Sequence, residues 1–166
     1  MNRIHITQGE LAIGGPDDDI VVATVLGSCV SLCLHDPVAR AGGMNHMLLA
    51  DLRVGHSAST LGAAEIERLI NAMRRLGARP DRMRAKVFGG ASMLDGMTDI
   101  GERNARFALF WLKRENIAIE ARSIGGTQAR QLQFEPATGV ARQRFVAERP
   151  KEDLVGDAAL NGVEML

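Results

Sequence analysis

Hydrophobic positions change period several times along the chain, and the changes mark out its elements. After a short opening strand around Ile4 to Ile6, the turn residues Gly14-Gly15-Pro16-Asp17-Asp18-Asp19 lead into Ile20-Val21-Val22-Ala23-Thr24-Val25, whose β-branched content predicts a buried strand. Gly27-Ser28 breaks it. From Cys29 the run CVSLCLHD reads as a further strand that stops at Asp36-Pro37, and GGMNHMLLA, residues 42 to 50, reads as the next, the two pairing as a hairpin. Ile66, Leu69, Ile70, Met73 and Leu76 then recur at helical spacing, with Ser57, Ser59 or Thr60 as the cap and Gly77 as the stop. Alternation returns through Lys86-Val87-Phe88 and ends in Gly89-Gly90. A second helix is predicted from Ile100 to Glu115, with Ala105, Ala108, Trp111 and Leu112 as its apolar face, flanked by Phe107 and Phe110. Ile117-Ala118-Ile119, Gln131-Leu132-Gln133-Phe134 and Val140 to Val146 complete a strand-rich end, the last two joined by the turn Pro136-Ala137-Thr138-Gly139.

Two helices and six to eight strands predict a layered α/β or α+β domain, strand-rich, with the helices packed on a mixed sheet. At 166 residues one hydrophobic core suffices, so residues 1–147 read as a single domain. Residues 148–166, charged and rich in small side chains, read as a polar tail that is disordered or docks only in part.

Charge and cysteine content narrow the function. Lys plus Arg and Asp plus Glu are 20 each, so no overall basic field exists to attract nucleic acid. The cluster Arg74, Arg75, Arg79, Arg82 and Arg84 reads as a solvated face at a helix end. The first residues lack a signal-peptide core, and no run of about 18 apolar residues exists to span a bilayer, so a cytoplasmic protein without membrane insertion is expected. Cys29 and Cys33 are too few for a disulfide framework or a thiolate zinc site. His5, His35 and His56 are not spaced like zinc ligands either, and no metal or other cofactor is expected.

The informative stretch is TVLGSCVSLCLHDPVARAGGMNHMLLA, residues 24 to 50, in which a strand runs into Leu26-Gly27-Ser28 before presenting a cysteine. A bend there can expose the sulfur and aim the backbone N–H groups near Ser28 and Cys29 at a developing oxyanion. Taken alone, Cys29 also fits a buried filler. A thiol of ordinary pKa needs a neighbouring base to react at neutral pH, and His46, set in Gly42-Gly43-Met44-Asn45-His46, is the candidate on the adjoining strand, although a lone histidine also fits a satisfied core residue. Cys33 projects from the same face about 13 Å further along the strand, too far for a disulfide, and reads as core.

At these residues the chain resembles a known family. LGSCV, LHDP, GGMNHMLL, LINAMRRLGARPDRMRAKVFGGASM, IGERNARFALFWLKRENIAI and IGGTQARQLQFEPATG, in that order and spanning roughly residues 10 to 147, are similar to the CheD chemoreceptor glutamine deamidases. The resemblance implies a protein-glutamine amidohydrolase on a layered fold similar to bacterial toxin deamidases. In it Cys29 is the nucleophile and His46 the base, with Gly27, Ser28 and Asn45 around the substrate and oxyanion. It also implies a threonine shortly before the cysteine, here Thr24, which would orient the imidazole or else merely cap the strand. The implied partners are the cytoplasmic domain of a methyl-accepting chemoreceptor and a CheC-type phosphatase, and the competing reading is a non-catalytic adaptor that docks them. The chain departs from the usual family pattern at Ser123, where an aspartate is common, at Ala129 and at Ala50.

Overall fold

The computed structural model describes residues 1–49, 58–93, 99–146 and 164–166. Within them two five-stranded sheets and two helices stack in three layers. The strands are β1 (Asn2–His5), β2 (Leu11–Gly14), β3 (Ile20–Leu26), β4 (Val30–Asp36), β5 (Ala41–Asn45), β6 (Arg84–Gly89), β7 (Ala118–Ile124), β8 (Arg130–Phe134), β9 (Ala141–Phe145) and β10 (Glu164–Met165). The helices are α1 (Ala58–Arg74) and α2 (Asp99–Arg114). One sheet runs β1-β3-β8-β9-β10 and the other β2-β5-β4-β6-β7. Both are mixed, through the parallel pairs β1/β3 and β6/β7.

The second sheet is the middle layer. Val30, Leu32, Leu34 and Met47 on one of its faces pack with Ile66, Leu69, Met73, Ala108 and Leu112 of the helices. Cys33, Met44 and Phe88 on its other face pack with Val22, Leu26, Leu132 and Phe134 of the first sheet. Covering on both faces explains why β4 and β5 are buried almost without interruption rather than in alternation. The layered mixed fold expected from the sequence is therefore present, with a second sheet that periodicity did not separate from the first.

Local signals acted largely as expected. β4 and β5 pair antiparallel. α1 ends where Gly77 takes φ 88 and the Ala78 N–H reaches back 3.2 Å to the Met73 carbonyl. Leu76 lies beyond that last turn and is 36% exposed, so it does not belong to the buried face. Of the cap candidates, Ser57 lies outside the described residues, and Ser59 and Thr60 fall inside the helix. On α2 the predicted face is buried while Phe110 is 62% exposed.

Three arginines of the cluster are paired: Arg82 with the buried Asp36, Arg79 with Asp81 and Arg84 with Glu120. The predicted tail lies outside the described residues except for its last three. There β10 pairs with β9, and Leu166 packs against the core between the sheets.

Candidate functional site

Thr24 and His46 come from different sheets and meet across the interface between them. On β3 the side chains of Val22, Thr24 and Leu26 share one face, and the Thr24 hydroxyl, buried there, donates to the Ile6 carbonyl at 2.7 Å. The same oxygen stands 2.7 Å from His46 Nδ1. A hydroxyl has one proton, and it is spent on Ile6, so the threonine oxygen accepts from Nδ1–H. His46 is thereby held as the Nδ1–H tautomer, with the Nε2 lone pair available.

The backbone of His46 is clamped as well. Its N–H donates to the Glu10 carbonyl at 3.1 Å, and its carbonyl accepts the Gly9 N–H at 2.9 Å. The Glu10 carboxylate closes that loop by accepting the Thr7 N–H at 2.8 Å and the Thr7 hydroxyl at 2.6 Å, bonds that hold it below the usual glutamate range. Neither Thr7 nor Glu10 stood out in the sequence, because their bonds to each other are local while their relation to His46 exists only across the sheet.

Cys29 lies one residue ahead of β4, in register with the histidine strand. Val30 and Met47 exchange both backbone hydrogen bonds, Val30 N–H to the Met47 carbonyl at 3.0 Å and Met47 N–H to the Val30 carbonyl at 2.8 Å. Ser31 therefore faces His46, and Cys29 is the diagonal neighbour of His46 on the same face, a relation that spans about 7 Å between backbones and is bridged by long side chains. The cysteine carbonyl accepts the Gly90 N–H at 2.9 Å, and Gly89 lies beneath it at φ 109. A Cβ on Gly89 would sit 2.2 Å from that carbonyl oxygen, so this glycine is needed for the approach of β6 to the cysteine.

The remaining predicted residues take different parts. The Gly27 carbonyl accepts the Ala91 N–H at 3.0 Å, and the Ser28 carbonyl accepts Asn104 Nδ2–H at 2.9 Å. Among the described residues no acceptor meets the N–H of Ser28 or of Cys29. Asn45 departs from expectation. Strand alternation turns it to the face opposite His46, where it is fully buried and its Oδ1 accepts the Leu32 N–H at 2.9 Å. Through that oxygen it completes the β4/β5 ladder, on the side of the sheet away from His46. Asn104 was not singled out from the sequence, since a single asparagine in an amphipathic helix looks like any polar position. It is fully buried, and its Oδ1 accepts the Leu49 N–H at 3.0 Å.

Burial sets the protonation of the pair. It pushes the Cys29 thiol up and the His46 imidazole down, the latter opposed by the Glu10 carboxylate. Both are thus neutral at rest near pH 7. Cys33 is buried and free, its thiol pushed far up by burial against an opposing effect of Lys86.

A cleft of about 470 Å³ opens beside the cysteine loop, lined by Gly90, Ser92, Ala105, Leu109, Ile124 and Gly126. Among the described residues no three His, Cys, Asp or Glu side chains gather as a metal site, and no helix is long and apolar enough to cross a membrane.

Residues 54–145 match the family described as CheD chemotactic sensory transduction. A protein of Caulobacter sp. (strain K31) named as a probable chemoreceptor glutamine deamidase CheD is 47% identical over 148 residues, covering 87% of this chain and 78% of that one. The chain belongs to the CheD family. A CheD protein of Zymomonas mobilis, named in the same words, is 48% identical over 157 residues, covering 92% of this chain and 85% of that one. One of Agrobacterium fabrum, also so named, is 47% identical over 143 residues, covering 85% of this chain and 78% of that one.

Ser123, where the sequence resemblance leads one to expect an aspartate, has a defined task. Ser123 Oγ accepts from Arg130 Nε at 3.2 Å and from Gln143 Nε2 at 2.7 Å, in a region where the buried Arg130 also donates to the Gly125 carbonyl at 3.0 Å and stacks over Phe145 at 4.8 Å. With a neutral hydroxyl at 123, Glu164 on β10 is the carboxylate that acts on Arg130, opposing the effect of burial.

Proposed function

We propose that this chain hydrolyses specific glutamine side chains of chemoreceptors to glutamate and ammonia, with Cys29 as nucleophile, His46 as general base and acid, and Thr24 as the group that orients the imidazole. The observation that carries the reading is the pair of hydrogen bonds at Thr24, which leaves Nε2 of His46 as the free base on the face that also bears Cys29.

As the sulfur attacks the carboxamide carbon, the thiol proton passes to Nε2, so that the high resting pKa of Cys29 does not block the step. The tetrahedral oxyanion is met by the N–H groups of Ser28 and Cys29. The C–N bond then breaks as the departing nitrogen takes the proton from Nε2, and ammonia leaves a thioester. Water attacks that thioester and gives a proton to the same nitrogen. The C–S bond breaks as the sulfur takes that proton back to restore the thiol, and the product acid gives its remaining proton to solvent and leaves as a carboxylate. The thiol and imidazole thus carry the proton through both halves of the reaction.

The partner is a chemoreceptor cytoplasmic domain, and a CheC-type phosphatase is the second partner that the family resemblance implies. The two free thiols suit a reducing compartment, in keeping with a cytoplasmic protein. The test is ammonia release together with the mass of a receptor cytoplasmic fragment before and after incubation, read peptide by peptide. Conversion of glutamine to glutamate by the wild type and not by Cys29→Ala supports the reading. A wild-type protein that binds the fragment and releases no ammonia overturns it in favour of a docking module.

A further inference from the structure

The bond between Asn104 and Ser28 has a consequence for the peptide unit that it holds. The Ser28 carbonyl and the Cys29 N–H belong to one planar trans peptide, so they point in opposite directions. Asn104 Nδ2–H, 2.9 Å from the Ser28 oxygen, therefore fixes the plane of that peptide and directs the Cys29 N–H away from α2. Its other end accepts the Leu49 N–H at 3.0 Å, three residues beyond His46 on the same segment. One carboxamide thus ties the loop that carries Cys29 to the segment that carries His46.

Nothing in ordinary helix packing asks for this residue. Ala105, Ala108 and Leu112 on the same helix are buried and apolar, whereas Asn104 is buried completely and spends both ends on main-chain groups of two other segments. A donor bonded to a peptide oxygen also polarises the N–H at the far end of that peptide, strengthening it toward an anion. Among the described residues the Cys29 N–H has no acceptor.

We propose that Asn104 is a positioning residue of the deamidation site, one that aims and polarises the Cys29 N–H at the tetrahedral oxyanion. The inference rests on the deamidase reading and adds the group that prepares its oxyanion donor. Asn104 touches no substrate. It acts through the Ser28–Cys29 peptide.

The experiment compares Asn104→Leu and Asn104→Ala with Leu112→Ala, a buried apolar truncation on the same helix that leaves Ser28 alone. Ammonia release from a receptor fragment gives kcat and KM, a glutamine-side-chain aldehyde in a short peptide reports on the oxyanion, and iodoacetamide reports on the thiol. Such an aldehyde forms a hemithioacetal with Cys29 whose oxyanion needs the same donor, whereas alkylation displaces iodide and needs none. Expected for both Asn104 variants are a fall in kcat of about 10- to 100-fold with KM little changed, weakening of the aldehyde by a similar factor, and nearly wild-type alkylation of Cys29. Leu112→Ala should keep both kcat and aldehyde affinity at any equal loss of melting temperature. If the Asn104 variants lose no more kcat than Leu112→Ala, or lose kcat without weakening the aldehyde, the proposal is overturned while the deamidase reading stands. A wild type inactive on receptor fragments overturns both.

Discussion

The hydroxyl of Thr24 lies 2.7 Å from Nδ1 of His46 and gives its only proton to the carbonyl of Ile6, also at 2.7 Å. One bond therefore sets both the tautomer and the orientation of the imidazole. Removing it leaves the thiol and the imidazole in place, while removing the sulfur leaves no covalent path. Thr24→Ala should lower ammonia release by about tenfold, the worth of a neutral hydrogen bond, and by more where the tautomer is disturbed. Cys29→Ala should abolish it, with circular dichroism unchanged. Equal losses in the two variants would contradict the division of labour.

The pH dependence follows from His46. Burial holds its pKa below the ordinary value of 6.5, and only the unprotonated imidazole can accept the thiol proton. The acid limb of kcat/KM should therefore fall at a pH below the usual histidine range, with activity retained as pH rises through neutrality. Glu10 acts in the opposite direction to burial, so Glu10→Gln should move that limb to still lower pH. A limb that stays in place would show that the carboxylate does not act on the imidazole.

Thiol reactivity separates the two cysteines. Cys29 is partly exposed, whereas Cys33 is 1% exposed and its thiol is pushed far up by burial. Limited iodoacetamide treatment near neutral pH, followed by peptide mapping, should label Cys29 well before Cys33. Because burial also raises the Cys29 thiol, its labelling should be slower than that of a fully exposed cysteine in a peptide. Preferential labelling of Cys33 would count against the placement of the nucleophile.

Stability has its own test at Asp36. This buried carboxylate accepts the N–H groups of Val38, Ala39 and Arg79 and pairs with Arg82 at 2.9 Å. Burial alone would raise its pKa, and these bonds together hold it below the ordinary 3.8. The stabilisation is present above that value and is lost as pH falls through the lower folded pKa. Asp36→Ala should cost about 3–5 kcal/mol near pH 7, because Arg82 and three N–H groups lose their partner, and less at strongly acid pH. Denaturant melts at the two pH values measure the difference.

Much of this was legible from the chain itself. The β-branched run of β3, the helical spacing at Ile66, Leu69, Ile70 and Met73, and the stop at Gly77 are local signals, since propensity, period and turn chemistry act over a few residues. Cys29, His46 and Thr24 were all candidates before any fold was known, from the LGSC bend and the family resemblance. Gly42 and Gly43 are places of close approach that only the fold explains, where the Pro136 backbone and the side chains of Ile13 and Leu69 come near.

What the sequence determined by itself was most of the elements, β2 and β10 excepted, and the residue types able to carry acyl transfer. Which groups meet was decided by the tertiary structure. Thr24 reaches His46 only because two sheets stack, Glu10 reaches it only through an edge-strand pairing, and Asn45 and His46, adjacent in the chain, face opposite sides because a strand alternates. Asn104 became visible as a strut only once α2 lay between Ser28 and Leu49. Each of these relations is a contact between segments distant in sequence, and no periodicity along one segment records the partner that will bury it.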